Sequence, residues 1–190
     1  MTVKFINRVK HSIRDFYILY ADRNDLLAKA EKALHPLPEG CELLKLTREN
    51  MNQYKCQWNI NQIMSDEVDE AWAVIDNNEI VGYHHGTYRG GNSMLFKVRN
   101  CDYEHTEIMV DERYRRKGMA IYILYHVIKN LDSQYVKENK VSTMIRPDNT
   151  PSIKLHELIG FKIDHRVKFF HKAIIKNGKF RYLNFPYYTI

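Results

Sequence analysis

Residues 104–120 read Glu-His-Thr-Glu-Ile-Met-Val-Asp-Glu-Arg-Tyr-Arg-Arg-Lys-Gly-Met-Ala and concentrate the residue types that could do chemistry. The segment ending at Val110 reads as a strand. A short polar loop follows, and a helix opens at Gly118 with the stripe Ile121, Leu124, Ile128 and Leu131. The loop brings Arg113, Arg115, Arg116 and Lys117 to that helix start. Helix N-termini leave backbone N–H groups unpaired and carry partial positive charge, so they hold phosphates. Glycine lets the backbone come close to a ligand. The arrangement reads as a diphosphate cradle, with a solvated turn as the plainer alternative. Neither the P-loop pattern nor the dinucleotide-binding glycine pattern is present.

A second constellation lies about thirty residues on: Ile145-Arg146-Pro147-Asp148-Asn149-Thr150-Pro151-Ser152, closing in His156-Glu157-Leu158-Ile159-Gly160-Phe161. Thr150 and Pro151 start a helix, a capping hydroxyl followed by proline at the first helical position, and Gly160 stops it. Together the two segments resemble the GNAT superfamily of acetyl-CoA-dependent N-acyltransferases. Arg115 to Ala120 resembles its six-residue pyrophosphate signature, and Val110 to Tyr114 its usual lead-in, with Glu112 where proline is common. The second segment is similar to the family's asparagine–serine and glycine–phenylalanine motif, and Ile80-Val81-Gly82-Tyr83 to its third strand. The resemblance covers about residues 41–175 and leaves 1–40 unexplained.

By that resemblance, the backbone amides of Arg115, Arg116, Lys117, Gly118, Met119 and Ala120 bind the coenzyme A pyrophosphate. Ile108, Met109 and Val110 pair with the pantetheine arm like an added strand. One of those strand amides polarises the thioester carbonyl. Asn149 and Ser152 contact the arm or its phosphates, with helix capping as the alternative. Acetyl-CoA is then the co-substrate, and a neutral amine attacks it directly. A lysine-like amine costs roughly 4.6 kcal/mol to deprotonate at pH 7, and one of pKa near 8 only about 1.4. The first kind needs a general base, and the second can lose its proton through water.

Glu104 is the first candidate base, since histone-type members of the family carry their glutamate six residues before the equivalent of Val110. In an unbroken strand Glu104, Thr106, Ile108 and Val110 share one face, and His105, Glu107 and Met109 the other. A bulge, common in this strand of the family, would break that parity. Glu107 and His105 stay in reserve. His156 stands where many members place a tyrosine general acid; it can donate a proton to a leaving thiolate or only hydrogen-bond the cofactor. Nine histidines without HxxxH or CxxC partners make a zinc site unexpected. Cys101 carries no mark of activation and reads as structural.

These residues need elements to hold them. Residues 1–34 read as a basic amphipathic helix, with Val3, Ile6, Val9, Ile13, Phe16, Tyr17 and Tyr20 on one stripe. Three roles suit it: covering the sheet, forming a homodimer, or touching a membrane surface with residues 1–20. His35 to Gly40 is a loop. Strands are expected at Cys41–Leu46, Ala71–Ile75, Glu79–Tyr88, Met94–Val98, Tyr103–Val110 and Val141–Arg146, and a helix over Arg48–Ser65. A hairpin turns at Asp76-Asn77-Asn78, and a final one, Arg166–Ile175 with Phe180–Tyr188, turns at Asn177-Gly178. The fold class is α/β, or α+β, with a central mixed sheet flanked by helices and a C-terminal β-hairpin. Residues 1–40 form a helical extension and loop, and 41–190 the acetyltransferase domain.

The chain has 190 residues, 44% hydrophobic and 27% charged, which excludes wholesale disorder. No apolar run reaches the roughly 18 residues of a membrane-spanning helix. Three distant cysteines make no disulfide framework, and the N-terminus lacks the pattern of a secretory signal, so the cytoplasm is the expected compartment. The formal charge of +6 invites an anionic partner. A nucleic-acid or membrane-surface module would bind with steep salt dependence but leaves both motifs unused. An acyl-CoA sensor without turnover would use the motifs and release no thiol. The acceptor side is rich in Tyr54, Trp58, His84, His85, Tyr88, Tyr187 and Tyr188, which suits a small polar amine. With the basic surplus this favours a nucleotide-linked amino sugar, then an amino acid or other metabolite, then a protein amine.

Overall fold

The computed structural model describes residues 12–59, 63, 68–93, 97–176 and 179–185. Eight strands form one sheet: β1 (Ser12–Asp22), β2 (Glu42–Lys45), β3 (Glu70–Asp76), β4 (Glu79–Tyr88), β5 (Tyr103–Val110), β6 (Lys140–Ile145), β7 (Lys162–Lys176) and β8 (Lys179–Phe185). Their order is β2-β3-β4-β5-β6-β1-β7-β8. Every neighbouring pair is antiparallel except β5 and β6. That parallel pair needs a crossover, which α2 (Met119–Lys129) supplies. Helices α1 (Arg23–Lys32) and α3 (Thr150–Leu158) join it. Leu26 and Ala30 of α1, Ile123, Leu124 and Ile128 of α2, and Ile159 after α3 form one core with Leu19, Val74, Val81, Val141 and Ile145 of the sheet. On the opposite face, Leu46, Ile63, Ala71, Ala73, Ile75 and Tyr83 make a second core over β3 and β4. Ile18, Val167 and Phe169 with Met144 make a third, over β1, β6 and β7.

The helix expected over residues 1–34 is corrected: 12–22 is a strand between β6 and β7, and only 23–32 is helical. Residues 1–11 lie outside the described residues. Ile18 and Leu19 are adjacent and both fully buried, Leu19 in the first core and Ile18 in the third, because the strand is covered on both faces. Such a strand has no alternation to read, and its run of apolar residues imitates a helical stripe. Asp22 then caps α1, accepting from the amides of Asn24 and Asp25 at 2.9 Å. Residues 12–22 are thus an interior part of the sheet, not a helical extension.

The helix expected over 48–65 is corrected over 48–59, to a short 3-10 turn at Met51–Gln53 followed by irregular chain at 54–59; Ile63 is helical, its amide donating to the Asn59 carbonyl at 3.3 Å. Lys55 is tied there by a bridge to Glu79. Residues 60–62, 64–67, 94–96, 177–178 and 186–190, including part of the strand expected at 94–98 and the tip of the last hairpin, lie outside the described residues. Asn77 and Asn78 have φ of 46° and 66°, the left-handed pair that a two-residue hairpin requires. The cap of α3 is Asn149, one residue before the expected Thr150, accepting from the Ser152 amide at 3.3 Å. No helix among the described residues is long and apolar enough to cross a membrane.

Candidate active site

The site is built around β5 and its neighbours. Opposite β4, His85 pairs with Glu107 but Gly86 pairs with His105, so Thr106 is an extra, bulged residue. Gly86 permits this: a Cβ there would lie 2.5 Å from the Glu104 carbonyl oxygen and against the Tyr103 ring. A glycine inside a strand is the signal that marks such a bulge in sequence. On the other side, β5 pairs with β6 only through Tyr103–Val141, Glu104–Ser142 and His105–Thr143. Beyond His105 the parallel strands part. The parity of an unbroken strand is therefore corrected, because Glu104 and Glu107 come to the same face, with Tyr83, His85 and Met109.

The two carboxyl groups have opposite environments. Glu104 is fully buried; Oε2 accepts from the Thr106 hydroxyl at 2.7 Å, and Oε1 has no hydrogen-bond partner among the described residues. Burial pushes its pKa up to about 7, against the lowering influence of the Thr106 and Ser93 hydroxyls. Glu107 is half-buried and accepts from Tyr83 at 2.8 Å, with His85 Nε2 at 3.2 Å. The His85 hydrogen bond, with help from Tyr83, holds its pKa below the ordinary carboxylate value. Trp58 meets the Tyr83 ring edge-on at 5.1 Å between centroids.

The opposite face of β5 carries His105, whose ring lies 4.7 Å from that of His84 and 5.2 Å from that of His156 on α3. All three are buried, and burial drives the pKa values of His84 and His105 well down and that of His156 to about 4. His156 Nδ1 is 2.7 Å from the Ser152 carbonyl, so Nδ1 carries the proton and donates it. Nε2, without a partner among the described residues, is left as an acceptor.

The cradle follows the end of β5. Asp111 anchors it by accepting from Arg113 Nε at 3.0 Å, Arg113 Nη2 at 2.9 Å and Gln57 Nε2 at 2.6 Å. Tyr114 donates to Asp76. Arg115 Nε donates to the Val110 carbonyl at 3.0 Å, which occupies one acceptor of the strand end. Arg116 and Gly118 are both left-handed, with φ of 63° and 79°, and flank Lys117. Alternating conformations of this kind turn successive N–H groups toward one anion. Gly118 is the N-cap of α2 and offers no side-chain hydrogen bond, so the first amides of the helix stay available.

Val110, Arg115, Arg116, Gly118, Met119 and Ala120 line a cavity of about 380 Å³, closed opposite by Leu155 and Leu158 of α3. Ile108 and Val110 point to the helix-covered core, and Met109 to the core on the opposite face.

Sequence reasoning missed His35, which walls this cavity: a Cβ at Gly118 would be 2.9 Å from the His35 Cβ. It also missed the Tyr83–Glu107–His85 cluster, which rests on the pairing of His85 with Glu107 across β4 and β5. Asn149 is engaged in capping, and the Ser152 carbonyl in holding His156. Of the aromatic residues expected near the acceptor, His85 contacts Glu107 and Trp58 packs on the Tyr83 ring that donates to it, while Tyr54 packs at the rim of the second core. His84 lies on the other face, and Tyr88 is used internally, donating to Glu70. Tyr187 and Tyr188 lie outside the described residues. Cys101 is buried 2.9 Å from the Ser142 hydroxyl, and burial raises its thiol pKa to about 12, which keeps it inert at neutral pH. Among the described residues no three His, Cys, Asp or Glu side chains are placed to hold a metal ion.

The acetyltransferase (GNAT) family model matches residues 27–161. The fold is similar to that of the tandem GNAT protein from the clavulanic acid biosynthesis pathway, with TM-score 0.58 and 16% identity over 85% of this chain and 54% of that one. The chain thus spans about half the length of that protein. An aminoglycoside N-acetyltransferase, AAC(6')-Iy, in complex with CoA aligns with TM-score 0.50 and 16% identity over 66% of this chain and 95% of that one. A GCN5-related N-acetyltransferase-like protein from Streptococcus suis 89/1591 aligns with TM-score 0.52 and 14% identity over 85% and 62%. No curated protein matches the sequence at a significant level. The family match covers well over half of the chain and includes the parted strands, the cradle and α3, so this chain belongs to the acetyltransferase (GNAT) family.

Proposed function

We propose that this protein transfers the acetyl group of acetyl-CoA to a primary amine of a small polar metabolite. One observation carries the reading: an uncapped helix start, with left-handed residues at 116 and 118, follows a strand that has parted from its parallel neighbour beside a buried carboxyl of raised pKa. The amides of 115–120 bind the pyrophosphate of the cofactor, and the free edge of β5 at 108–110 takes the pantetheine arm. Asn149 and Ser152 bound that channel from the α3 side. Glu107, ionised, holds the incoming ammonium near Trp58. Glu104 takes its proton through Thr106, whose hydroxyl passes its own proton to Oε2 as it accepts one from the amine. Each pKa unit is worth 1.36 kcal/mol, so a carboxyl at about 7 instead of 4.5 eases this transfer by about 3 kcal/mol. The nitrogen–carbon bond then forms, the carbon–sulfur bond breaks, and the thiolate leaves, taking up the second proton that the nitrogen sheds on becoming an amide.

The geometry supports the carboxylate role better than an acid role for His156. That ring is neutral with an acceptor at Nε2, and loading a proton at pH 7 against a pKa of about 4 costs about 4 kcal/mol. His156→Asn is therefore expected to lower kcat less than tenfold, and a loss of a hundredfold would restore the acid role. The neutral histidine also favours, as a second reading, an acyl-CoA-binding protein without turnover; amine-dependent thiol release separates the two. The cofactor assignment is tested by thermal unfolding. Acetyl-CoA at 100 times its dissociation constant should add about 2.7 kcal/mol, several degrees for a domain of this size. No shift with any acyl-CoA would overturn the assignment.

A further inference from the structure

A second cavity, of about 370 Å³, lies away from the cradle where β6 ends and the edge of β1 is left open. Arg14, Phe16, Arg146 and Arg166 line it with Asp15 and Asp148. Two of its guanidinium groups are already matched: Arg166 donates Nε and Nη2 to Asp15 at 2.8 and 2.6 Å, and Arg146 donates Nε and Nη2 to Asp148 at 3.0 and 2.6 Å. Asp15 also has Lys168 at 3.7 Å. Arg14 has no such carboxylate among the described residues, and its buried Nε has no hydrogen-bond partner there. Among the described residues the cavity is lined by Arg14, Arg146 and Arg166 against Asp15 and Asp148, and the surplus is positive. A buried N–H of a cation without an acceptor is costly, so a site of this make-up favours an anion.

The position of the cavity says which anion. Ser142 pairs with Glu104, and Met144, two residues on, packs with Phe16 and Ile18, so Arg14 and Phe16 lie on the sheet face of the carboxyl pair, while Asp15 and Arg166, beside Tyr17, lie on the other face of the open edge. Leu19 pairs with Thr143, the point where β5 and β6 part, and Arg14 is five residues further along β1. At about 3.3 Å per residue the cavity lies roughly 15 Å along the strands from the reacting centre. An α-amino acid is too short to span that, because its carboxylate lies only a few ångströms from its amine. Building on the acetyl-transfer reading, we infer that the Arg14 cavity binds the phosphate end of an extended acceptor, a nucleotide-linked amine, with Phe16 as an apolar wall for its nucleoside.

The test uses the full chain with UDP and ADP as probes, followed by thermal unfolding in the presence of saturating acetyl-CoA. A nucleoside diphosphate should add to the stabilisation given by acetyl-CoA, and Arg14→Ala should weaken that nucleotide at least tenfold, the scale of one charge-assisted contact. Loss of the UDP and ADP shifts once acetyl-CoA is saturating would place the nucleotides in the cradle and overturn the assignment. So would absence of any nucleotide shift, or UDP binding no tighter than inorganic phosphate. If Arg14→Ala weakens acetyl-CoA but not its 3′-dephospho form, the cavity belongs to the cofactor and the inference fails. The saturated wild type decides the matter even if the variant does not fold. Failure of acetyl-CoA itself to bind would strike the transfer reading instead and leave the nucleotide measurement readable.

Discussion

Glu104→Gln should lower kcat/KM for a lysine-like amine by about 10²–10⁴-fold at pH 7 while leaving acetyl-CoA affinity unchanged. The wild-type rate should rise with pH through about 7 as Glu104 ionises, and that rise should vanish in the variant. For an amine of pKa near 8 the loss should be smaller, because water can take the proton. The same substitution should raise stability, and the sign follows from linkage. The folded-state pKa is above the ordinary carboxyl value of 4.5, so the stability that Glu104 contributes is complete below about pH 4.5 and is lost as pH rises through about 7. Glutamine does not titrate. Above pH 7 the variant should therefore gain up to about 3 kcal/mol relative to its advantage at pH 4, less the cost of an amide nitrogen placed where Oε1 finds no partner. Urea denaturation of both proteins from pH 4 to 8 measures it. A variant that loses activity and stability together would identify Glu104 as a structural residue.

Gly118→Ala should weaken acetyl-CoA binding at least tenfold and destabilise the fold by about 2–3 kcal/mol, through two separable causes. A Cβ at φ of 79° is strained by about 1–2 kcal/mol. It would also lie 2.9 Å from the His35 Cβ and 3.0 Å from its Cδ2. Adding His35→Gly removes the clash but not the strain. The double variant should thus recover part of the lost melting temperature and little of the cofactor affinity, since the amides at the start of α2 stay displaced. Full recovery of affinity by His35→Gly would mean that the left-handed backbone is unnecessary for the cradle.

The loop after β5 and the start of α2 were legible because their signals are local: basic residues, a glycine and an amphipathic stripe that fall within twenty residues. The same holds for β3 and β4, where Asn77 and Asn78 name their own turn, and for α3, where Gly160 at φ 103° stops the helix. Strand β1 was not legible, since Ile18 and Leu19 are buried in different cores and the pairing with β6 and β7 comes from residues at least 118 positions away. The carboxyl pair was half legible. Both glutamates were named, but their common face depends on the Thr106 bulge, and that depends on Gly86 across the strand. The state of His156 depends on burial and on a carbonyl one helical turn back, neither of which residue type reveals.

The most direct measurement of the central claim is free-thiol release from acetyl-CoA across a panel of primary amines, with wild type and Glu104→Gln side by side and the product identified by mass. The account predicts release that depends on both amine and enzyme, one acetyl group added per thiol freed, and a hundredfold or larger loss in Glu104→Gln for the most basic acceptors. Acetyl-CoA binding with no amine-dependent release across nucleotide-linked amino sugars, amino acids and peptide amines would contradict it, and would make the protein a binder of acyl-CoA.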